Sequence, residues 1–294
     1  MNTRPTLTLA MGLLSFLFGC GSKSGPFAKV DGVWKYEDAT VVGADAASFE
    51  PLSDHYAKDK NHVYYADSRR DSREYWSVKH YRVDKLDGAH APSFTYLGHG
   101  FAKDKERAYS RGEPIHVEDV ATFVAIDPSF TRDRVTGYYN RKAIAGSDGS
   151  TFERLDDHYS RDASRVYFSD MVTTDPSKYR ETNVSIQVAG ADRATFKVAE
   201  LRYATDAKQV FHDGKILASD GAEAFEVFLF GYARTARQVW FEGKAIDADA
   251  SSFAMQEGLI AEGVDARDGR GWFRGGKRVQ RIPGFVGAPP PGGA

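Results

Sequence analysis

The stretch YAKDKNHVYY, Tyr56 to Tyr65, returns with small changes along most of the chain, and a repeat of this kind leaves few folds open. Aligned on the first aromatic residue, copies start at Phe27, Tyr56, Phe101, Phe130, Tyr159, Tyr203, Tyr232 and, weakly, Val264, with spacings of 29, 45, 29, 29, 44, 29 and 32 residues. Self-similarity at a period of roughly 20–50 residues marks an array whose members cannot bury their apolar faces alone and must stack on their neighbours. Each copy runs from an aromatic-Ala/Ser-x-Asp start through a turn to a Val-aromatic pair. A Gly-Lys turn and an Ile or Val often follow, and the copy ends in Asp-x-x-Ser/Thr-Phe, as at Asp45, Asp148, Asp192 and Asp249.

These patterns predict an all-β chain of tandem repeats of about 29 residues, each with about three short antiparallel strands and one helical turn. VWFEGKAI, HDGK and SRGE place Gly at a tight hairpin turn, where positive φ is needed. The Asp of Asp-x-x-Ser/Thr-Phe is expected to cap the helical turn while the Phe points inward. FEVFLFGYART, Phe225 to Thr235, reads as a strand with one buried face. The 13% aromatic content fits β-structure better than bundled helices. A 29-residue repeat is short for a four-stranded propeller blade of about 40–50 residues, which favours an open, elongated, solenoid-like meander over a propeller-like ring.

A second regularity lies above the first. Phe27 to Phe130 and Tyr56 to Tyr159 are both 103 residues, and the long repeats are entered through Leu52-x-Asp54-His55-Tyr56 and Leu155-x-Asp157-His158-Tyr159. This predicts a duplicated three-repeat block, 27–129 and 130–231, followed by a partial third copy. The repeat domain covers 27–282.

The N-terminus has one early cation, Arg4, an apolar run from Leu7 to Phe18, and then Gly19-Cys20. The run is too short to span a bilayer, which takes roughly 20 apolar residues, and it reads as a signal peptide over residues 1–19. Leu17-Phe18-Gly19-Cys20 is similar to the bacterial lipobox, which implies cleavage before Cys20, lipidation of its thiol and a short tether over 20–26. Gly21 after the cysteine, in place of Asp, implies the outer membrane by the Gram-negative sorting pattern. Cys20 is the single cysteine, so no disulfide is expected. Residues 283–294, ending GFVGAPPPGGA, form a Gly/Pro tail expected to be disordered.

YAKDKNHVYY, FAKDKERAY and YATDAKQVF resemble the DKNYY repeat family of bacterial lipoproteins and secreted proteins, and Asp59-Lys60-Asn61 with Tyr64-Tyr65 comes close to the motif of that name. The resemblance implies the repeat architecture and an envelope location. It carries no catalytic residue with it.

Charge and motif searches narrow the function. After loss of Arg4, 38 Lys and Arg face 41 Asp and Glu, interspersed, which gives no basic face for nucleic acid. Asp59, Asp104, Asp133, Asp162 and Asp206 share one repeat phase but lack the alternating-oxygen spacing of a calcium loop, and an Asp opening a turn binds its own backbone amides. The eight histidines include no His-x-x-x-His, and the matched pair His55 and His158 is expected to pack or turn the chain at equivalent junctions. There is no Gly-x-Ser-x-Gly elbow or phosphate-binding loop. No catalytic residue, metal or cofactor is expected.

The two insertions stand apart from the template: ADSRRDSREYWSVKHYRVDKL after Tyr65 and SDMVTTDPSKYRETNVSIQV after Phe168, both following the Val-aromatic pair. Insertions at one repeat phase map to one face. Both end in alternating residues, Trp76-x-Val78 and Val184-x-Ile186-x-Val188, and are expected to be hairpins. The first gathers Arg69, Arg70, Arg73, Tyr75, Trp76, Lys79, His80, Tyr81 and Arg82, and the second carries Lys178, Tyr179 and Arg180. Arg with Tyr and Trp is the composition of interface hot spots. The alternative for the first is that Trp76 and Tyr81 cover the neighbouring repeat while the cations stay solvated. The expected function is a non-enzymatic envelope lipoprotein whose array presents these hairpins to a protein partner, with a glycan- or peptidoglycan-binding module as the alternative.

Overall fold

The computed structural model describes residues 25–70, 79–178, 180–255 and 264–280. Cys20, the signal sequence, most of the tether and the Gly/Pro tail lie outside the described residues, as do Arg73, Tyr75, Trp76, Val78 and Tyr179. The chain divides into two compact units, residues 1–92 and 93–294. The first holds a three-stranded sheet, Phe27–Val30, Val33–Tyr36 and Ala39–Thr40, and a four-stranded sheet beginning at Glu50–Pro51. The second holds six four-stranded sheets. Within each sheet the strands pair antiparallel in sequence order, and among the described residues no sheet closes into a barrel.

All the sheets after the first hold four strands where the sequence led us to expect three. The extra strand follows each motif Phe: the residue pairs Glu50–Pro51, Val124–Ala125, Glu153–Arg154, Lys197–Val198, Glu226–Val227 and Ala254–Met255, and the longer Thr95–Gly98. Each pair hydrogen-bonds to the opening strand of the next repeat, as Glu153 faces Arg161 and Arg154 faces Ser160. Two-residue strands carry no periodicity of their own, which is why the sequence hid them. Strands this short also fit four into 29 residues, so repeat length no longer separates a blade from a meander.

Two further corrections come from backbone geometry. Phe225–Thr235 is not one strand: Glu226–Val227 is followed by a 3-10 turn at Leu229–Gly231 and then by Tyr232–Arg234. The weak eighth copy is in register from Asp265, one residue later than Val264, because Asp268 occupies the phase of Asp59. Where the other copies have an aromatic residue it has Asp265, which weakens the sequence match. The hairpin turns are as expected, with Arg111-Gly112, Asp213-Gly214 and Glu242-Gly243 all at positive φ.

One hydrogen-bonded clip explains the co-occurrence of the two motifs. Asp133 is buried; its Oδ1 accepts from the amides of Val135 (2.7 Å) and Thr136 (2.9 Å), and its Oδ2 accepts from Tyr138 Oη (2.6 Å) and the Asp119 amide (2.8 Å). In return, the Arg134 amide donates to Thr122 Oγ1 at 2.8 Å. The first turn therefore binds the Asp-x-x-Ser/Thr turn that precedes it, and each motif satisfies donors of the other. The same reciprocal pair joins Asp45 and Ser48 to Asp59 and Lys60, Asp148 and Thr151 to Asp162 and Ala163, and Asp192 and Thr195 to Asp206 and Ala207. A separation of 14 residues between the two Asp is thus fixed chemically, and Asp249 with Asp268 keeps the bond across 19. The Asp-x-x-Ser/Thr segments are single turns as expected. Asp119 caps the 3-10 turn Val120–Thr122 through the Ala121 amide, and Phe123 behind it is fully buried.

The core is accordingly a chain of small clusters. In the second unit, Phe101, Ala108, Val117 and Phe123 enclose Tyr138 of the next sheet, and Phe130, Tyr139, Ile144 and Phe152 enclose Tyr167. Phe196 packs at 5.4 Å from Tyr159 and 5.5 Å from Phe211, bridging two successive sheets. Later repeats add a hydroxyl to this packing. Tyr159 Oη donates to Arg202 O (3.0 Å) and accepts from Gly214 N (3.1 Å), and Tyr203 Oη bridges Gly231 O (3.2 Å) and Gly243 N (3.0 Å) in the same way.

Candidate interaction surface

Both insertions are hairpins grown from the third and fourth strands of a repeat. In the first unit Val63–Arg69 pairs with His80–Lys85, from Tyr64 opposite Lys85 to Arg69 opposite His80. In the second, Val166–Asp175 pairs with Arg180–Gln187 and is closed by a 3-10 turn at Pro176–Lys178. The β-branched run Val172-Thr173-Thr174 on one strand, with Thr182, Val184 and Ile186 on the other, suits an extended ribbon.

The junction histidines root these hairpins. His55 Nδ1 lies 2.8 Å from Ala66 O, and His158 Nδ1 lies 3.2 Å from Ser169 O, the carbonyls at which each insertion leaves the template. The His158 ring also stacks on Phe168, 5.7 Å between centroids. A duplicated turn-and-packing role, the one expected from the sequence, is what the geometry shows for this pair.

The second hairpin has two further anchors that sequence reasoning missed. Arg202 forms an ion pair with Asp170 at the hairpin base, lies 2.8 Å from Asp213 Oδ1 on the following repeat, and sits 5.4 Å from the Phe168 ring centre. Along the side, Asn183 Nδ2 donates to Asn140 O at 3.1 Å and Lys142 Nζ donates to Asn183 O at 3.2 Å, tying the ribbon to the preceding sheet. Arg202 occupies the junction position of His158, immediately before the repeat's aromatic residue, and that substitution was the available signal. Replacing Arg202 with Met is expected to cost about 2 kcal/mol, because two carboxylates lose their shared cation. Faster amide exchange along Val184–Gln187 than in the parent chain would locate that loss at the hairpin base, and unchanged exchange there would refute the anchoring role.

Residues 27–171 match the DKNYY family model. Over those residues the chain belongs to the DKNYY family. Neither a curated protein nor a solved structure matches the chain. The clip of the DKNYY repeats continues beyond the matched segment at Asp206 and Asp268, so the architecture extends past residue 171.

The candidate residues on the two hairpins divide by environment. Arg69, Arg70, Lys79, His80 and Arg180 are exposed. Tyr81 is half-buried edge-to-face against Tyr36, 5.9 Å between centroids, and so covers the neighbouring repeat. Arg82 pairs with Asp67 at 2.8 Å and with Asp84 at 3.4 Å. These two residues brace the first hairpin. Lys178 lies in the closing turn of the second, whose strand exposes Met171 (47%) and Val172 (37%), one on each face of the ribbon. Among the described residues no group of three or more His, Cys, Asp or Glu could hold a metal ion. At this repeat phase Asp59, Asp133, Asp162, Asp206 and Asp268 are held as carboxylates. Burial pushes Asp162 up, but the amides of Asp148, Ser164 and Arg165 and the Tyr167 hydroxyl outweigh it and bring its pKa down to about 2.

Proposed function

We propose that this chain is a non-enzymatic scaffold of the bacterial cell envelope, held at the outer membrane through a lipid on Cys20, which presents its insertion hairpins to a protein partner. The observation that carries the reading is the second hairpin, a ribbon anchored at its base by Arg202 and at its side by Asn183 that exposes Met171 and Val172. A pre-positioned ribbon with exposed apolar side chains loses less entropy on binding than a floppy loop. The lipobox-like LFGC supports the anchor, and Gly21 supports the outer membrane. The non-enzymatic part rests on the recurrent carboxylates, which are occupied by backbone amides and tyrosine hydroxyls that hold the fold.

Crosslinking and capture from intact cells tests the reading with hairpins cut at paired positions. Asn-Gly joins Arg69 to His80 in one variant and Asp170 to Val184 in the other, since each pair sits opposite in the ladder. The second cut keeps the Asp170–Arg202 pair. The full chain is expected to capture a specific envelope protein, and the second variant to lose it while remaining folded and membrane-bound. Capture of the same protein by both shortened chains would overturn the reading.

A further inference from the structure

The junction turns of three successive repeats line an open groove of about 1290 Å³ in the second unit, a few residues from the hairpin base. Its walls are the segments Arg154–His158, Ala199–Tyr203 and Phe230–Gly231, closed by the hairpin turns at His212-Asp213 and Glu242. Two features set this groove apart.

The first is Phe230. It lies at φ 61°, ψ 21°, a left-handed conformation that costs a bulky residue on the order of 1–2 kcal/mol, and it is 47% exposed. At the same turn the other repeats carry Asp54, His99, Pro128, Asp157 and Leu201. The left-handed backbone recurs at this turn in His99 and Leu201, so what is particular to Phe230 is a large aromatic ring left half exposed there. Leu201, 46% exposed and itself at φ 55°, lines the groove one repeat earlier.

The second is charge. The groove has five carboxylates, Asp156, Asp157, Glu200, Asp213 and Glu242, and two cations, Arg154 and Arg202. Both cations are already engaged: Arg154 lies 2.5 Å from Asp127 and 2.5 Å from Asp157, and Arg202 joins Asp170 to Asp213. Burial lowers the pKa of His212 below its ordinary value despite Asp213 and Glu242, so its ring adds no positive charge at neutral pH. Glu200 and Glu242 are exposed, and their carboxylates make no hydrogen bond or ion pair among the described residues. The groove is therefore acidic with an apolar rim.

We infer that this groove binds a cationic polypeptide segment bearing an apolar side chain, the basic residue meeting Glu200 and Glu242 and the apolar one resting on Phe230 and Leu201. The inference rests on the protein-scaffold reading above, and it supplies the chemistry of the partner. The placement beside the hairpin lets one partner use both surfaces.

The test titrates the full chain in detergent with acetyl-Lys-Phe-Lys-Phe-Lys-amide, acetyl-Glu-Phe-Glu-Phe-Glu-amide and chitotetraose by calorimetry. The cationic peptide is expected to bind at least about tenfold tighter than the acidic one and to weaken with added salt. A Glu200→Lys/Glu242→Lys double variant should lose about tenfold. Phe230→Asn, which suits the left-handed backbone, should lose about fivefold while its Tm stays level or rises. No binding of the cationic peptide up to about 1 mM, equal binding of the acidic peptide, indifference to both variants, or binding of chitotetraose in its place would each overturn the inference. The chain with the Asp170–Val184 cut should bind the peptide as the full chain does. Peptide binding without partner capture would therefore sink the scaffold reading, and hairpin-dependent capture without peptide binding would sink the groove alone.

Discussion

Asp133→Ala is expected to destabilise its repeat by about 4 kcal/mol, within the range seen when one partner of a buried charged network is removed. The substitution orphans the amides of Asp119, Val135 and Thr136 and the Tyr138 hydroxyl, all held within 2.9 Å of the carboxylate, in a place where no side chain of Ala can answer them. Asp133→Asn keeps one acceptor oxygen but turns an amide group toward another donor, and should cost about 2 kcal/mol. Asp206→Ala serves as an internal control. Phe211 stands where the other repeats have Tyr138 or Tyr167, so Asp206 accepts from three amides without a hydroxyl, and its loss should cost less, about 3 kcal/mol. Urea unfolding together with amide exchange at Val135 and Thr136 reads the difference. Equal losses for Asp133→Ala and Asp206→Ala would show that the tyrosine contributes nothing to the clip.

The same clips set the acid limit of the fold. Burial raises the pKa of Asp162 and of Asp268, but hydrogen bonds outweigh it in both, including those of Arg278 to Asp268, and hold each at about 2. Asp59, Asp133 and Asp206 are lowered for the same reason. A carboxyl with a folded pKa below its unfolded value binds more protons unfolded, so its contribution is complete above the unfolded pKa near 4 and is lost as pH falls toward 2. Stability should therefore be level in this respect above about pH 5 and fall steeply between about pH 4 and 2. Asp133→Ala should flatten that fall, because one of the titrating groups is gone.

The repeat, its turns and its inward phenylalanines were legible because each depends on local chemistry: Gly where φ is positive, Asp at the opening of a turn, Phe after Ser or Thr. What the sequence withheld is reciprocal or tertiary. Asp45 and Asp59 each read as a turn residue, but nothing in either segment says that the carboxylate of the second binds the amide of the first; only the constant offset does. The strand Glu50–Pro51 has one polar and one ring residue and is defined solely by its partners Lys58 and Ala57. At the candidate surface, the two insertions were visible as departures from the period, but composition pointed to Tyr81, which packs on Tyr36 of the neighbouring repeat, and Arg82, which pairs with Asp67 within the first hairpin. Arg202, Asp170 and Asn183 carry the anchoring instead, through contacts spanning 32 residues for Arg202 to Asp170 and 43 for Asn183 to Asn140.

Gly214→Ala should cost about 3 kcal/mol or more and loosen the second hairpin with it. Gly214 is at φ 70° in the Asp213-Gly214 turn, and a Cβ there would come to 2.5 Å from Phe168 Cβ and 3.3 Å from Ile186 Cδ1. Its amide also donates to Tyr159 Oη at 3.1 Å, so the turn is stapled to the preceding repeat at the point where the methyl would intrude. Gly32 separates the two effects. It stands second in another Asp-Gly turn, Asp31-Gly32 between Phe27–Val30 and Val33–Tyr36, at φ 82° with nothing within 4 Å of a built Cβ, and Gly32→Ala should show the backbone cost alone, about 1 kcal/mol. The excess at Gly214 is the packing cost, and it falls on a residue with another duty. Phe168 pairs with Ile186 across the hairpin root, carries the stacked His158 ring and lies under Arg202. Displacing it should raise amide exchange along Val184–Gln187 and weaken capture of the partner, while Gly32→Ala leaves both unchanged. A Gly214→Ala chain as stable as Gly32→Ala would mean that Phe168 can yield at little cost, and that the hairpin is not held by the repeat beneath it.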